Sequence, residues 1–157
     1  MEIRPLSDRD RAWVEHVTVE RWGAPIVVGN GRVFRVAELP GFVALVQNEP
    51  VGLVTYSIDG DACELVTIDS LREGIGIGSA LFGAVADRAR EAGCSRLWLI
   101  TTNDNLRMLR FAQRRGFTLI ALRPKALETS RRLKPGIPQV GQHGIPIRDE
   151  LELELSL

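Results

Sequence analysis

The stretch that decides the fold reads Ile68-Asp69-Ser70-Leu71-Arg72-Glu73-Gly74-Ile75-Gly76-Ile77-Gly78-Ser79-Ala80-Leu81 and joins a predicted strand to a predicted helix. Its three alternating glycines let successive backbone N–H groups turn toward one point, and the helix N-terminus adds free donors and a positive dipole end. Such a loop binds phosphate oxygens. Glycines before a helix can also make a tight turn and nothing more, but this spacing between strand and helix favours an anion site.

Two common nucleotide-binding loops do not fit this stretch. A P-loop needs Lys and then Ser or Thr after its last glycine, whereas Ser79 and Ala80 follow Gly78. A dinucleotide fingerprint needs a third glycine three positions after the second, inside a strand–helix–strand unit. Ser79 stands at that position, and three predicted antiparallel strands precede the loop. Neither kind of loop explains the stretch.

Short β-branched runs separated by Asn, Asp, Gly and Pro turns precede the loop and predict an antiparallel meander. Its strands are expected over residues 42–47, 51–58 and 63–68. A strand over 2–5 and a helix over 8–22 come before it. Residues 23–40 show no clean period and are interpreted as a loop with short ordered pieces.

Downstream of the loop, apolar residues at helical spacing predict a helix from Gly76 to Gly93. The apolar run 97–100 is typical of a central strand buried on both faces. The further elements predicted are a helix over 105–115, a strand over 117–122, a short helix over 127–133 and an alternating final strand over 151–155. That alternation predicts one solvated face, and the strand is a candidate for pairing across a homodimer.

Composition bounds the class of protein. A chain of 157 residues with 45% apolar and 25% charged side chains is expected to fold as one domain. Twenty basic residues balance twenty acidic ones, so nothing in the net charge attracts nucleic acid or an anionic membrane. There is no signal-peptide or membrane-spanning pattern. Cys63 and Cys94 lack metal-ligand spacing, which predicts reduced thiols in a cytoplasmic protein and no metal site.

Two ordered motifs resemble those of the GNAT superfamily of acetyl-CoA-dependent N-acetyltransferases. The family's pyrophosphate loop, Gln or Arg-x-x-Gly-x-Gly or Ala, aligns with residues 73–78. Its strand, Asn, helix and aromatic-x-x-x-x-Gly-Phe segment is similar to residues 97–102, Asn103, Asn105 and residues 111–117. The resemblance implies one α/β (α+β) domain over residues 1–157, with a mixed six- to seven-stranded sheet and helices on both faces.

The resemblance also implies how acetyl-CoA would bind. Its pyrophosphate would lie on the N–H groups of residues 73–79, and its pantetheine would pair with the backbone edge at Ile68. Asn105 would either hydrogen-bond the pantetheine or cap the following helix, a role that Asn fills well. The implied cofactor-binding residues are Ile68, Arg72, Glu73, Gly74, Gly76, Ile77, Gly78, Ser79 and Asn105.

The chain departs from the family pattern at two positions. Glu73 replaces the usual Gln or Arg and brings a carboxylate toward the phosphates, for which Arg72 is expected to compensate. Ala112 stands where the family often has a Tyr that protonates the departing thiolate. Tyr56, the only tyrosine, is a candidate replacement acid, although a half-buried strand aromatic is the favoured interpretation.

Direct transfer to an amine also needs a base. Glu64 is the first candidate, because positions 64, 66 and 68 would share one strand face next to the loop; a solvated or salt-bridged strand residue is the alternative. Asp69 is the second candidate, with a competing role in the turn. Arg107, Arg110, Arg114 and Arg115 either meet the cofactor's 3′-phosphate or form an exposed face paired with the acidic final strand.

The resemblance therefore implies transfer of an acetyl group to a primary amine of a small molecule or peptide, with metal and nucleic acid uninvolved. An acyl-CoA-binding domain with weak or no activity is the alternative, motivated by Ala112, and transfer of a bulkier acyl group is a third. Acceptor specificity is expected in residues 23–40 and 124–147, with Arg21, Trp22 and His143 as candidate lining residues.

Overall fold

The computed structural model describes residues 1–157 as nine strands and four α-helices. The strands are β1 (Glu2–Pro5), β2 (Ile26–Gly29), β3 (Arg32–Arg35), β4 (Gly41–Val46), β5 (Glu49–Asp59), β6 (Ala62–Ser70), β7 (Arg96–Thr102), β8 (Thr118–Arg123) and β9 (Glu150–Ser156). The helices are α1 (Arg11–Trp22), α2 (Ile77–Glu91), α3 (Leu106–Arg114) and α4 (Ala126–Leu133). None of these helices combines the length and the apolar character that crossing a membrane requires.

Seven strands form one mixed sheet in the order β1-β4-β5-β6-β7-β9-β8. Neighbouring strands are antiparallel except β6 and β7, which run parallel because α2 connects them. Strands β2 and β3 form a separate hairpin. The predicted α/β fold with a mixed sheet of six to seven strands is confirmed, and the sheet has seven.

Helices cover both faces of this sheet. On one face, α2 buries Leu81 and Val85 against strand residues that include Leu97 and Leu153. On the other face, α1 packs Val14 and Val17 with Val27, Val36 and Leu53. We call these the α2 face and the α1 face. The stripe of α2 that the apolar spacing predicted is the stripe that is buried.

The irregular segment 23–40 holds more structure than predicted. Its two short strands are joined by Asn30 and Gly31, both with positive φ (49° and 74°). Two residues with positive φ make the tight turn that matches strand twist, and Asn-Gly is its strongest sequence signal. The Asn30-Gly31 pair therefore predicts this hairpin, which the interpretation of the segment as a loop did not include.

Three predictions about the environments of β7 and β9 are wrong. In β7, Leu97 and Leu99 are buried but Trp98 and Ile100 are only half-buried, because the hairpin covers the α1 face incompletely. The final strand β9 lies between β7 and β8, so both of its backbone edges are already paired and it cannot extend the sheet across a dimer. Its carboxylates are not solvated as predicted: Glu150 and Glu152 pair with Arg123, and Glu154 with Arg96.

Candidate active site

A cleft opens where the two parallel strands separate. Backbone pairing between β6 and β7 covers only Ala62 to Glu64 on β6 and ends at the Glu64–Trp98 pair. Beyond it, residues 65–70 and 99–101 line the two walls of a cavity of about 370 Å³. Because this length of β6 has no partner on the β7 side, its backbone groups there are free to bind an extended ligand.

One end of the cleft is the glycine loop. Gly74 and Gly76 have φ of 81° and 77°, a conformation that favours glycine. The N–H groups of residues 73–79 donate to no acceptor within the protein, and Ala80 is the first whose N–H does, on the Gly76 carbonyl. A Cβ on Gly78 would lie 3.2 Å from the Phe111 ring, so glycine also allows α3 to approach. Free donors at a helix N-terminus make an anion site.

The charges beside the loop differ from the sequence expectation. Glu73 pairs with Arg107 of α3 (3.1 Å), not with Arg72. Arg115 donates to the Ser79 hydroxyl (2.5 Å) and lies over the Phe111 ring, 3.5 Å from its centroid. The α3 arginines do not pair with β9, as one alternative predicted. With Phe111 they line a shallow groove next to the loop.

Asn105 caps helix α3, which was one of its two predicted roles, and it also lines the cleft. Its Oδ1 accepts a hydrogen bond from the Met108 N–H at 3.1 Å, which caps α3. Its Nδ2 group donates to no protein acceptor in the structure, so a cofactor role for that atom is compatible with the cap.

A β-bulge changes which strand residues share a face. Thr55 pairs with Thr67 and Tyr56 with Leu65, which leaves Val66 as an extra residue in β6. The expectation that positions 64, 66 and 68 share a face is therefore wrong. Ile68 packs on the α2 face, whereas Glu64 contacts the hairpin on the α1 face.

Glu64 lies outside the cleft. It is 6% exposed and pairs with Arg32 of β3, whose guanidinium lies over the Trp98 ring at 5.2 Å from its centroid. Burial raises the pKa of the Glu64 carboxyl, and the hydrogen bond from Arg32 works against that rise. Glu64 is thus a salt-bridged strand residue in the structure, as the alternative interpretation predicted.

Asp69, by contrast, lines the cleft on the α1 face. Its Oδ2 accepts a hydrogen bond from the Trp22 indole N–H at 3.2 Å. Burial raises the pKa of this carboxyl, while the indole donor and the nearby Arg21 guanidinium act in the opposite direction. A desolvated carboxylate with a raised pKa is a stronger base than an exposed one.

Neither Tyr56 nor Ala112 places in the cleft a side chain that could protonate the departing thiolate. Tyr56 is 7% exposed and stacks on Phe42 on the α2 face, at 6.1 Å between ring centroids, away from the cleft lining. Ala112 is fully buried in the apolar core of the same face. The hydroxyl groups that do line the cleft belong to Thr67, Ser70, Ser79 and Thr101.

The cofactor-binding residues named from the sequence all meet at this cleft: Ile68, Arg72, Glu73, Gly74, Gly76, Ile77, Gly78, Ser79 and Asn105. Arg21 and Trp22 line it as expected, whereas His143 does not. Sequence reasoning gave no site role to Thr101, Met108 or Phe111, which also line it. For Met108 and Phe111 the signal was present, since both follow Asn105 at helical spacing on one face of α3.

The chain is an α/β protein with a ligand cleft between two parallel strands, and a donor-rich loop and the half-buried Asp69 carboxylate both line that cleft. Residues 7–117 match the model of the Acetyltransferase (GNAT) family. The chain belongs to this family.

Relatives and solved structures of similar fold cover nearly the whole chain. The uncharacterized protein YdhI of Bacillus subtilis (strain 168) is 46% identical over 96% of this chain and 95% of its own. An acetyltransferase from Bacillus subtilis in complex with CoA matches with a TM-score of 0.70 at 16% identity, over 99% of both chains. A GNAT family acetyltransferase from Elizabethkingia anophelis with acetyl-CoA bound matches with a TM-score of 0.71 at 19% identity, over 99% of this chain and 97% of its own.

Proposed function

We propose that the protein transfers the acetyl group of acetyl-CoA directly to a primary amine of a small molecule or peptide. The observation that carries this proposal is the position of Asp69, which lies in the same cleft as the donor-rich loop. Two solved structures of this fold hold CoA or acetyl-CoA. Acetyl-CoA supplies the thioester, and the chain supplies its binding and the proton transfer.

The residues present fit the cosubstrate. The free N–H groups of residues 73–79 suit a pyrophosphate, and Arg107 neutralises the Glu73 carboxylate that would otherwise repel it. The unpaired edge of β6 near Ile68 suits the amides of pantetheine. Asn105 would add its free Nδ2 donor from the opposite wall.

Asp69 is the proposed general base. An amine attacks a thioester only as the neutral species, so the ammonium proton must leave first. The half-buried carboxylate would accept that proton on the α1 face, with the Trp22 indole N–H holding its orientation. On this proposal Glu64 stabilises the sheet through Arg32 and takes no part in the reaction.

The base assignment is tested by Asp69→Asn, with Glu64→Gln as the competing candidate and Asp59→Asn as the matched control. Asp59 is an exposed carboxylate at the far end of β5, without a hydrogen-bonded partner. Thiol release is measured over a panel of primary amines, and calorimetry gives the acetyl-CoA affinity. We expect about a hundredfold or larger loss of kcat/KM in Asp69→Asn alone, at unchanged acetyl-CoA affinity. Equal activity in Asp69→Asn and wild type would refute the assignment.

An acyl-CoA-binding domain with weak or no activity is the second candidate, favoured by one observation: no tyrosine lines the cleft. Tight acetyl-CoA binding without thiol release for any amine would support it. Transfer of a bulkier acyl group would instead appear as tighter binding of longer acyl-CoAs. Absence of acetyl-CoA binding below about millimolar concentration would refute all three.

A further inference from the structure

Lys134 is a buried cation that the proposed reaction does not use. It follows the last turn of α4 and is 8% exposed. Its Nζ donates to the Trp22 carbonyl oxygen at 2.7 Å, and it makes no salt bridge. Lys125 and Lys134 are the only lysines in a chain that otherwise uses arginine. A buried ammonium costs free energy unless its hydrogen bonds compensate.

The carbonyl that Lys134 holds belongs to the end of α1. Trp22 is the last residue of that helix, and Gly23 ends it with a φ of 79°. Carbonyls in the last turn of a helix lack helical partners and carry partial negative charge, so a cation there is favourable. Lys134 thus connects the C-terminal segment to the end of α1.

The same tryptophan is bound to the cleft through its side chain. The indole Nε1 donates to Asp69 Oδ2 at 3.2 Å, while the residue as a whole is 38% exposed. A ring this exposed is not held by packing alone. The position of the indole therefore depends on where the Trp22 backbone is held, and Lys134 is the side chain that hydrogen-bonds that backbone.

We propose that Lys134 is a positioning residue for the cleft carboxylate: it holds the Trp22 backbone so that the indole N–H stays on Asp69. The proposal rests on the proposed function for its catalytic meaning, whereas the three-residue link stands on the contacts alone. A hydrogen bond from the indole favours the ionised carboxylate. A less firmly held Trp22 therefore lowers the ionised fraction of Asp69 at low pH, and we expect the affinity for acetyl-CoA to stay the same.

The other charged groups near Asp69 are Arg21 of α1, Arg72 and Glu73 of the loop, and Arg107 of α3. None of them forms a hydrogen bond or a salt bridge with Lys134, and Glu73 and Arg107 pair with each other. A variant at position 134 therefore leaves these charges in place. A change in Asp69 titration that does not add to the effect of Trp22→Phe would be transmitted through Trp22, whereas a direct effect of the lost ammonium charge would add to it.

The test compares Lys134→Met, Trp22→Phe and the double variant, with Lys125→Met as the matched control on the same segment. Carbon-13 NMR of the side-chain carboxyl gives the titration midpoint of Asp69 in the free protein, assigned by its absence from Asp69→Asn. We expect both single variants to move the midpoint to higher pH, the double variant to move it no further than Trp22→Phe, and Lys125→Met to leave it unchanged. Lys134→Gln, an uncharged donor, replaces Lys134→Met if that variant does not fold and should move the midpoint less in the same direction.

Kinetics supply the second readout. We expect about three- to tenfold lower kcat/KM in Lys134→Met, greatest on the acid side of the pH profile, with acetyl-CoA affinity within twofold of wild type. An unchanged midpoint in the folded Lys134 variant overturns the link, as does a shift that adds to that of Trp22→Phe. A midpoint shift in a protein whose Asp69→Asn variant stays active would leave the link intact and refute only the proposed base.

Discussion

Gly52→Ala tests how the sheet sets the position of the glycine loop. Gly52 lies in β5 beneath the first turns of α2. A Cβ there would lie 2.4 Å from Ile77 Cγ2, 3.0 Å from Leu81 Cδ1 and 3.3 Å from the Asp69 carbonyl oxygen. Ordinary contact begins at 3.4 Å, so Ile77 must move by about 1 Å. Ile77 and Leu81 are almost fully buried and have little room to rotate away.

The expected cost follows from that geometry. Inserting a methyl group into a packed core costs about 1–3 kcal/mol, and three close contacts put this variant in the upper half of that range. For a chain of this length, 2–3 kcal/mol lowers the melting temperature by roughly 5–10 °C. Because Ile77 follows Gly76 directly, its displacement also moves the loop donors. We therefore expect about tenfold weaker CoA binding, which corresponds to about 1.4 kcal/mol.

Gly83→Ala is the matched control, because it makes the same chemical change inside α2. A Cβ at Gly83 meets nothing within 4 Å. Replacing a helical glycine by alanine stabilises a helix by about 0.5–1 kcal/mol. Urea unfolding gives the free energy of unfolding of each variant, and calorimetry gives the CoA affinity. If Gly52→Ala unfolds at the same urea concentration as wild type and binds CoA equally well, the sheet does not set the loop position.

Three further variants test the loop, the core and the pH dependence. Gly76→Ala meets no neighbouring atom but places alanine at a φ of 77°; we expect a loss of about 1 kcal/mol in urea unfolding and weaker CoA binding by calorimetry. Ala112→Tyr puts a ring into a fully buried site; urea unfolding should show a loss of about 3 kcal/mol, and thiol release no gain in rate. The hydrogen bonds from Arg4 hold the pKa of Asp10 well below its usual range. The contribution of Asp10 to the free energy of unfolding is therefore complete above about pH 4, the pKa of Asp in the unfolded chain, and falls at lower pH. Asp10→Asn should be less stable than wild type at pH 7 by about 1–3 kcal/mol, and its stability should depend less on pH in urea titrations from pH 7 to 2.

Local spacing made the glycine-loop segment predictable from the sequence. Three alternating glycines, a strand before them and a helical period after them are all encoded within 14 consecutive residues. The order of strands and helices follows from similar short-range signals. This is why every residue predicted for the cosubstrate lines one cleft in the structure.

The catalytic face could not be predicted in the same way. The faces on which Glu64 and Asp69 lie depend on the extra residue Val66, and a bulge is set by pairing with β5 instead of by the local pattern. The Glu73–Arg107 pair likewise joins residues 34 positions apart. Such contacts depend on tertiary structure, so the alternation of side chains could not show that Glu64 lies outside the cleft.

The bulge and the short pairing of β6 with β7 together determine what the cleft can do. With unbroken alternation, Glu64 and Asp69 would lie on opposite faces, since they are five residues apart. The extra residue puts both carboxylates on the α1 face, and there the strand gap separates their roles. Glu64 lies where β6 is still paired and is covered by Arg32, whereas Asp69 lies beyond the last pair, beside open space. The α2 face of the same gap has apolar side chains and the loop donors, so in the proposed reaction acetyl-CoA would bind on one face and the proton would be transferred on the other.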